Sequence, residues 1–176
     1  MNRLSSELRL YAWLLGTPAA DAKMAIVEQV AAYPWLADPA AELEKLALEA
    51  WQAEHTRLFV SGYPKTPCPP FASAYLEGAM HGQSRADLAN LYAGLGLAAT
   101  GAPADYLGTI LDCAAYLLGQ GQAAGEAWET LSGRYMDRWI PRFCHDLQTH
   151  AELLLYQQTA ARLAACLPLA ASGPDD

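Results

Sequence analysis

The segment from Pro103 to Leu118 constrains the fold most. Tyr106, Ile110, Cys113 and Leu117 recur at helical spacing, and Leu107, Leu111, Ala114 and Leu118 form a second stripe beside them. A helix apolar around most of its girth is unstable at a surface and has to be wrapped by other helices. Pro103 is expected to open this helix. Its remaining face shows Asp105, Thr109 and Asp112, with the two acids nearly aligned.

The flanking chain supplies partners of the same kind. Leu4, Leu8, Tyr11 and Leu15 predict a first helix that Gly16 stops. Asp21 is expected to cap a second, with Met24, Val27 and Val30 or Ala31 on one face, ending at Pro34. Asp38-Pro39 reads as a cap and first-turn proline of a third helix that runs unbroken to Phe59. Residues 60–71 hold four prolines and form a stiff loop. A short helix over 73–81 follows. Ser84 with Asp87 resembles a capping box for a helix carrying Leu88, Leu91 and Leu95. Residues 98–104 form a small-residue connector. Gly119–Gly125 reads as a turn. A helix from Glu126 carries Trp128, Leu131 and Tyr135. Pro141 separates it from one long closing helix through Phe143, Leu147, Leu154 and Ala165, and 169–176 reads as a loose tail.

No strand pattern emerges. The expectation is an all-α, single-domain bundle of about seven to nine helices. The helical domain spans 1–168. Two sub-lobes, about 1–97 and 103–168, would meet at a hinge over 98–104, with Gly101 and Pro103 as its pivots. The chain is then a monomer, or a dimer that exchanges its C-terminal helices.

Charge and composition narrow the function. The 176 residues carry 19 acids against 11 Lys and Arg, a net of −8. An acidic surface repels phosphate backbones, so nucleic-acid binding is not expected. Between Ala86 and Gly133 there are five acids and no Lys, Arg or His, which implies a locally negative field suited to a basic partner. No apolar run is long enough to span a bilayer. The first residues carry Glu7 where a secretory signal would be apolar, and the four cysteines form no C-x-x-C pair. Both features read as a cytoplasmic chain with free thiols.

No catalytic constellation stands out. Gly94-Leu-Gly96-Leu-Ala-Ala99 matches a dinucleotide-binding pattern only loosely, since a helix rather than a strand precedes it. There is no phosphate-cradling P-loop. His145 and His150 point apart on a helix, so no metal site is read and no cofactor is expected. The distinctive stretch is Arg57-Leu58-Phe59, the proline loop, and then Pro69-Pro70-Phe71-Ala72-Ser73-Ala74-Tyr75-Leu76. Prolines fix such a surface at low entropic cost, and Phe71 and Tyr75 offer flat apolar area suited to a peptide. On pattern alone the favoured reading is that the same rings plug the core beneath the loop.

Three blocks resemble the TorD/DmsD/NarJ family of chaperones that mature molybdenum-containing oxidoreductases. The first is Glu54-His55-Thr56-Arg57-Leu58-Phe59 with Pro69-Pro70-Phe71-Ala72-Ser73-Ala74-Tyr75, similar to the family's E-Y-x-x-L-F and P-P-[WY]-E-S-V-Y segments. The second is Ala102-Pro103-Ala104-Asp105-Tyr106, similar to E-x-P-x-D-H. The third is Trp139-Ile140-Pro141-Arg142-Phe143, similar to W-x-P-x-F. Here Ala102 stands for the family's Glu, Tyr106 for its His, and Ala72 for its acid before S-V-Y.

The resemblance implies a TorD-like, cytoplasmic, non-enzymatic chaperone. Its partner would be the precursor of a molybdopterin-containing oxidoreductase subunit, held by a twin-arginine leader or its remnant while cofactor is inserted. Asp105 and Asp112 are the expected arginine acceptors. Tyr106, Pro70, Phe71, Tyr75, Arg57 and Phe59 complete the expected peptide site. The alternatives are a NarJ-like chaperone of a non-exported molybdoenzyme, and a nucleotide-binding or enzymatic helical protein.

Overall fold

A computed structural model describes residues 3–121 and 125–171. Ten α-helices follow one another: α1 (Arg3–Leu14), α2 (Ala22–Gln29), α3 (Ala37–Glu44), α4 (Leu48–Phe59), α5 (Ala72–Leu76), α6 (Gln83–Gly94), α7 (Leu107–Gln120), α8 (Gly125–Thr130), α9 (Ile140–His150) and α10 (Leu154–Ala171). A 3₁₀ turn at Pro34–Leu36 precedes α3, and a π-helical turn at Leu131–Met136 continues α8. The described residues contain no strand. They have one isolated antiparallel bridge, between Phe71 and Tyr106.

As its pattern requires, α7 is central. Leu107, Ile110, Leu111, Cys113, Ala114, Ala115, Leu117 and Leu118 are all buried. α1 packs along it where the small Ala114 and Ala115 let the helices approach, and the Ser5 hydroxyl donates to the Ala115 carbonyl at 2.8 Å. α9 and α10 pack antiparallel behind them, and Trp139, Phe143, Leu147, Tyr156 and Leu163 are fully buried there.

Several expected boundaries shift. On α2 the buried face carries Ala22 and Ile26, while Met24 and Val27 are 69% and 45% exposed. Asp21 makes no side-chain cap. The single helix expected from Asp38 breaks at 45–47 into α3 and α4, and Asp38 lies in the first turn of α3 rather than before it. Lys23 donates its ammonium to the Leu46 carbonyl that the break frees. The closing helix is likewise two, split at 151–153. Carboxylates from distant helices compensate there: Glu54 Oε1 accepts the Glu152 N–H and Glu42 Oε2 accepts the Leu154 N–H, each at 2.8 Å. Acceptors of this kind satisfy the free N–H groups of a helix start and favour its positive end.

The Ser84–Asp87 capping box does not form. Glu77, on the other side of a loop, takes the Ser84 N–H and hydroxyl and the Gln83 N–H, while Asp87 accepts from Tyr135 at 3.1 Å. Residues 77–82 are accordingly loop, and α5 is shorter than expected. Pro103 does not open α7. It sits in the connector, where its carbonyl accepts the Thr109 hydroxyl at 3.0 Å. Gly119 and Gln120 still belong to α7, and residues 169–171 to α10. The remainders of the expected turn and tail, 122–124 and 172–176, lie outside the described residues.

All four cysteines are free and buried, and burial pushes each thiol up to about 12. They serve as small apolar side chains. Among the described residues no helix is long and apolar enough to cross a membrane.

Candidate functional site

The short bridge between Phe71 and Tyr106 sets the site. Asp105 O accepts the Ala72 N–H and Pro70 O accepts the Leu107 N–H, both at 2.9 Å. The proline loop is thereby fastened to the start of α7. The two side chains of the bridge, Phe71 and Tyr106, pack with centroids 5.7 Å apart and ring planes tilted by 54°. The Tyr106 ring fits because residue 108 is glycine. A Cβ there would lie 2.6 Å from Tyr106 Cε1.

These rings form part of an open cleft of about 950 Å³. Phe59 and His55 from α4, Pro70 and Phe71 from the loop, and Tyr75 from α5 line it with Tyr106. Gly101 and Pro103 border it from the connector, and Val60 and Met80 stand exposed beside it. Tyr75 is clamped from α9. Its hydroxyl donates to Asp146 Oδ2 at 3.0 Å, its carbonyl accepts from Arg142 at 3.1 Å, and the Arg142 guanidinium lies 5.5 Å from its ring centroid. Behind it, Trp139 and Phe143 pack at 5.4 and 6.2 Å. The wall is therefore rigid before any ligand arrives.

Of the eight peptide-site residues singled out in the sequence, five line the cleft and three do not. Phe59, Pro70, Phe71, Tyr75 and Tyr106 converge on the cleft, and Gly101 and Pro103 also border it. Asp105, Asp112 and Arg57 do not. Asp105 is 1% exposed and turned inward, accepting the Ser73 hydroxyl at 2.6 Å and, more weakly, the Ser73 N–H at 3.4 Å. It caps α5 and holds the bridge; a guanidinium cannot reach it. Asp112 is exposed on a separate hollow with Thr109, Cys113 and Tyr116. The two acids do not share a face, because Asp105 precedes α7 instead of lying within it.

Arg57 is a staple. Its Nε and Nη2 donate to Glu54 at 2.7 and 2.9 Å, and Nη2 also reaches the His150 carbonyl at 2.7 Å. The expected acidic rim is missing as well. Among the described lining residues Asp146 is the one carboxylate, set against Lys65 and Arg142.

Asp105→Asn should leave peptide affinity and its salt dependence unchanged, since an amide oxygen can still accept from Ser73. Asp105→Ala should cost about 2 kcal/mol by orphaning the buried Ser73 hydroxyl. Denaturant titration together with peptide titration at two salt concentrations checks both. A reduced salt slope in Asp105→Asn would restore it as a direct ligand.

Sequence reasoning missed His55, Arg142 and Asp146. Arg142 and Asp146 are one turn apart and each immediately precedes a buried residue, Phe143 or Leu147, so they border the apolar stripe of α9. That position was the available signal. His55 is buried at the cleft floor with its ring 5.0 Å from Phe59. Burial lowers its pKa from the ordinary 6.5, partly opposed by the Leu15 backbone. Between its folded value and 6.5 the unfolded chain holds the extra proton, so stability rises with pH there and is lost on acidification. The slope due to His55 is at most about 1.4 kcal/mol per pH unit. His55→Gln should remove that part of the slope in denaturant melts from pH 5 to 7.5; an unchanged slope would assign it elsewhere.

Comparison with known proteins gives matches of three kinds. The family model described as nitrate reductase delta subunit matches residues 19–145. The chaperone protein YcdY of Escherichia coli (strain K12) is 36% identical over 100 residues, which cover 56% of this chain and 51% of that protein. The matched stretch thus spans about half the length of that curated relative. A crystal structure described as a redox enzyme maturation protein from Archaeoglobus fulgidus superposes with a TM-score of 0.72, covers 96% of each chain and is 23% identical. This last likeness is one of fold.

Proposed function

Because the chain belongs to the nitrate reductase delta subunit family, we propose that it is a non-enzymatic maturation chaperone that holds the N-terminal segment of a redox enzyme subunit in the cleft between the proline loop and α7. The observation that carries this reading is the pre-built apolar wall of Phe71, Tyr75 and Tyr106, fixed from behind by the backbone bridge and by α9. An extended or helical apolar segment burying about 400 Å² there gains about 10 kcal/mol gross. Ordering it removes several kcal/mol, leaving micromolar to submicromolar affinity. Modest affinity suits cargo that must be released.

The client is then a molybdopterin-dependent oxidoreductase subunit, kept in the cytoplasm and open until its cofactor is inserted. The segment is a twin-arginine leader or its remnant in one version. In the other it is the N-terminus of a subunit that is never exported. The charges around the cleft favour the second version: its described lining holds one carboxylate, and an arginine pair would need more.

Phe71→Asp places a charge in the apolar wall and should weaken binding of the client at least tenfold without unfolding the chain, since Phe71 is half-exposed. Co-purification from the native cell with mass identification of the bound subunit tests this. The wild type should carry a redox subunit that a client lacking its N-terminal segment does not replace. Equal retention by Phe71→Asp would sink the cleft reading.

A further inference from the structure

The charge at the cleft wall defines its occupant more closely, and this step rests on the reading just given. Asp146 is half-buried on α9 with its carboxylate at the cleft. Oδ2 is engaged by Tyr75, whereas none of the hydrogen bonds or ion pairs among the described residues uses Oδ1. Arg142, one turn earlier, is the obvious counter-ion on sequence spacing. It is turned instead to the Tyr75 carbonyl and ring, and the two make no ion pair. Lys65 is exposed on the proline loop. Asp146 also acts inward: after burial itself, its charge is the next largest cause raising both the Cys68 thiol and the Tyr75 phenol.

Magnitude decides between the cations and the anion of this cleft. Exposed Lys65 and Arg142 are screened by water and salt, so each contributes little to selecting a ligand. A half-buried carboxylate against aromatic walls works in a lower dielectric, where a charge-assisted hydrogen bond is stronger. One free carboxylate oxygen accommodates one cation. We propose that Asp146 is the cleft's selectivity group and receives a single guanidinium or ammonium from the bound segment, whose adjoining apolar residues lie on Phe71, Tyr75 and Tyr106.

Three synthetic peptides test this, each with the same Leu/Ala/Phe stretch preceded by one Arg, Gln or Glu, titrated calorimetrically into wild type, Asp146→Asn and Asp146→Glu. The wild type should bind the Arg peptide about tenfold tighter than the Gln peptide. Asp146→Asn, which can still accept from Tyr75, should abolish that preference while holding Gln-peptide affinity within about twofold. Asp146→Glu should retain a preference for Arg. Equal binding of Arg and Gln peptides by wild type, a preference for Glu, or an equal loss of all peptides in Asp146→Asn would overturn the assignment to Asp146 and leave the apolar cleft standing. Binding of none of the three by wild type would overturn the cleft reading, and this inference with it.

Discussion

Trp139→Ala is expected to cost about 3–5 kcal/mol, the range for emptying a large buried aromatic site. Trp139 is fully buried, donates its indole N–H to the Tyr135 carbonyl at 2.6 Å, and packs on Tyr75 and Phe143. No single side chain can refill that volume, because α9 and the π-helical turn fix its walls. At about 2–4 °C per kcal/mol for a domain of this size, the melting midpoint should drop by on the order of 10 °C. Trp139→Phe keeps a ring behind Tyr75 and should cost less than half as much. The two variants also separate stability from function. With its backing lost, Tyr75 no longer forms a fixed wall, so Trp139→Ala should bind peptide more weakly even at temperatures where it is folded, while Trp139→Phe should not. A stability loss below about 1 kcal/mol would mean that the site collapses freely and the wall is not rigid.

Glu54→Ala should be the next most damaging change, at about 2–3 kcal/mol. Glu54 is 8% exposed and accepts three hydrogen bonds, two from Arg57 and one from the Glu152 N–H. Its removal frees the Glu152 N–H in the break before α10 and leaves Arg57 with only the His150 carbonyl and the distant Glu152 carboxylate. Arg57 is 38% exposed and can turn to water, which keeps the loss below that of a wholly buried pair. Glu54→Gln retains an acceptor for Glu152 and should lose about half as much. Urea unfolding of the two variants and of Arg57→Ala distinguishes the contributions. If Arg57→Ala costs more than Glu54→Ala, the staple acts chiefly through His150 rather than through the carboxylate.

These residues also show what the sequence makes legible. α7 was readable because its apolar positions wrap the helix, and any compact packing of such a helix puts it at the centre. The cleft rings were readable because prolines and aromatics lie together in one short stretch. The breaks at 45–47 and 151–153 were not. Neither carries a glycine or proline, and both are stabilised by partners far away in the chain: Lys23 for the first, Glu42 and Glu54 for the second. Asp105 failed for a related reason. Its spacing from Asp112 is helical, but the Phe71–Tyr106 bridge starts α7 two residues later and turns the carboxylate toward Ser73. Local periodicity carries no information about a pairing that closes over 30 residues of chain. Asp146 was hidden in an ordinary amphipathic pattern, and only the fold of α9 against α5 brings it to Tyr75.

Amide hydrogen exchange of the chain alone and with its bound N-terminal segment tests the central claim most directly. Slowed exchange confined to residues 69–76, 103–108 and the start of α9 is the predicted result. Slowing instead on the α1–α2 surface around Trp13, Met24 and Val27, with the proline loop unchanged, would contradict it.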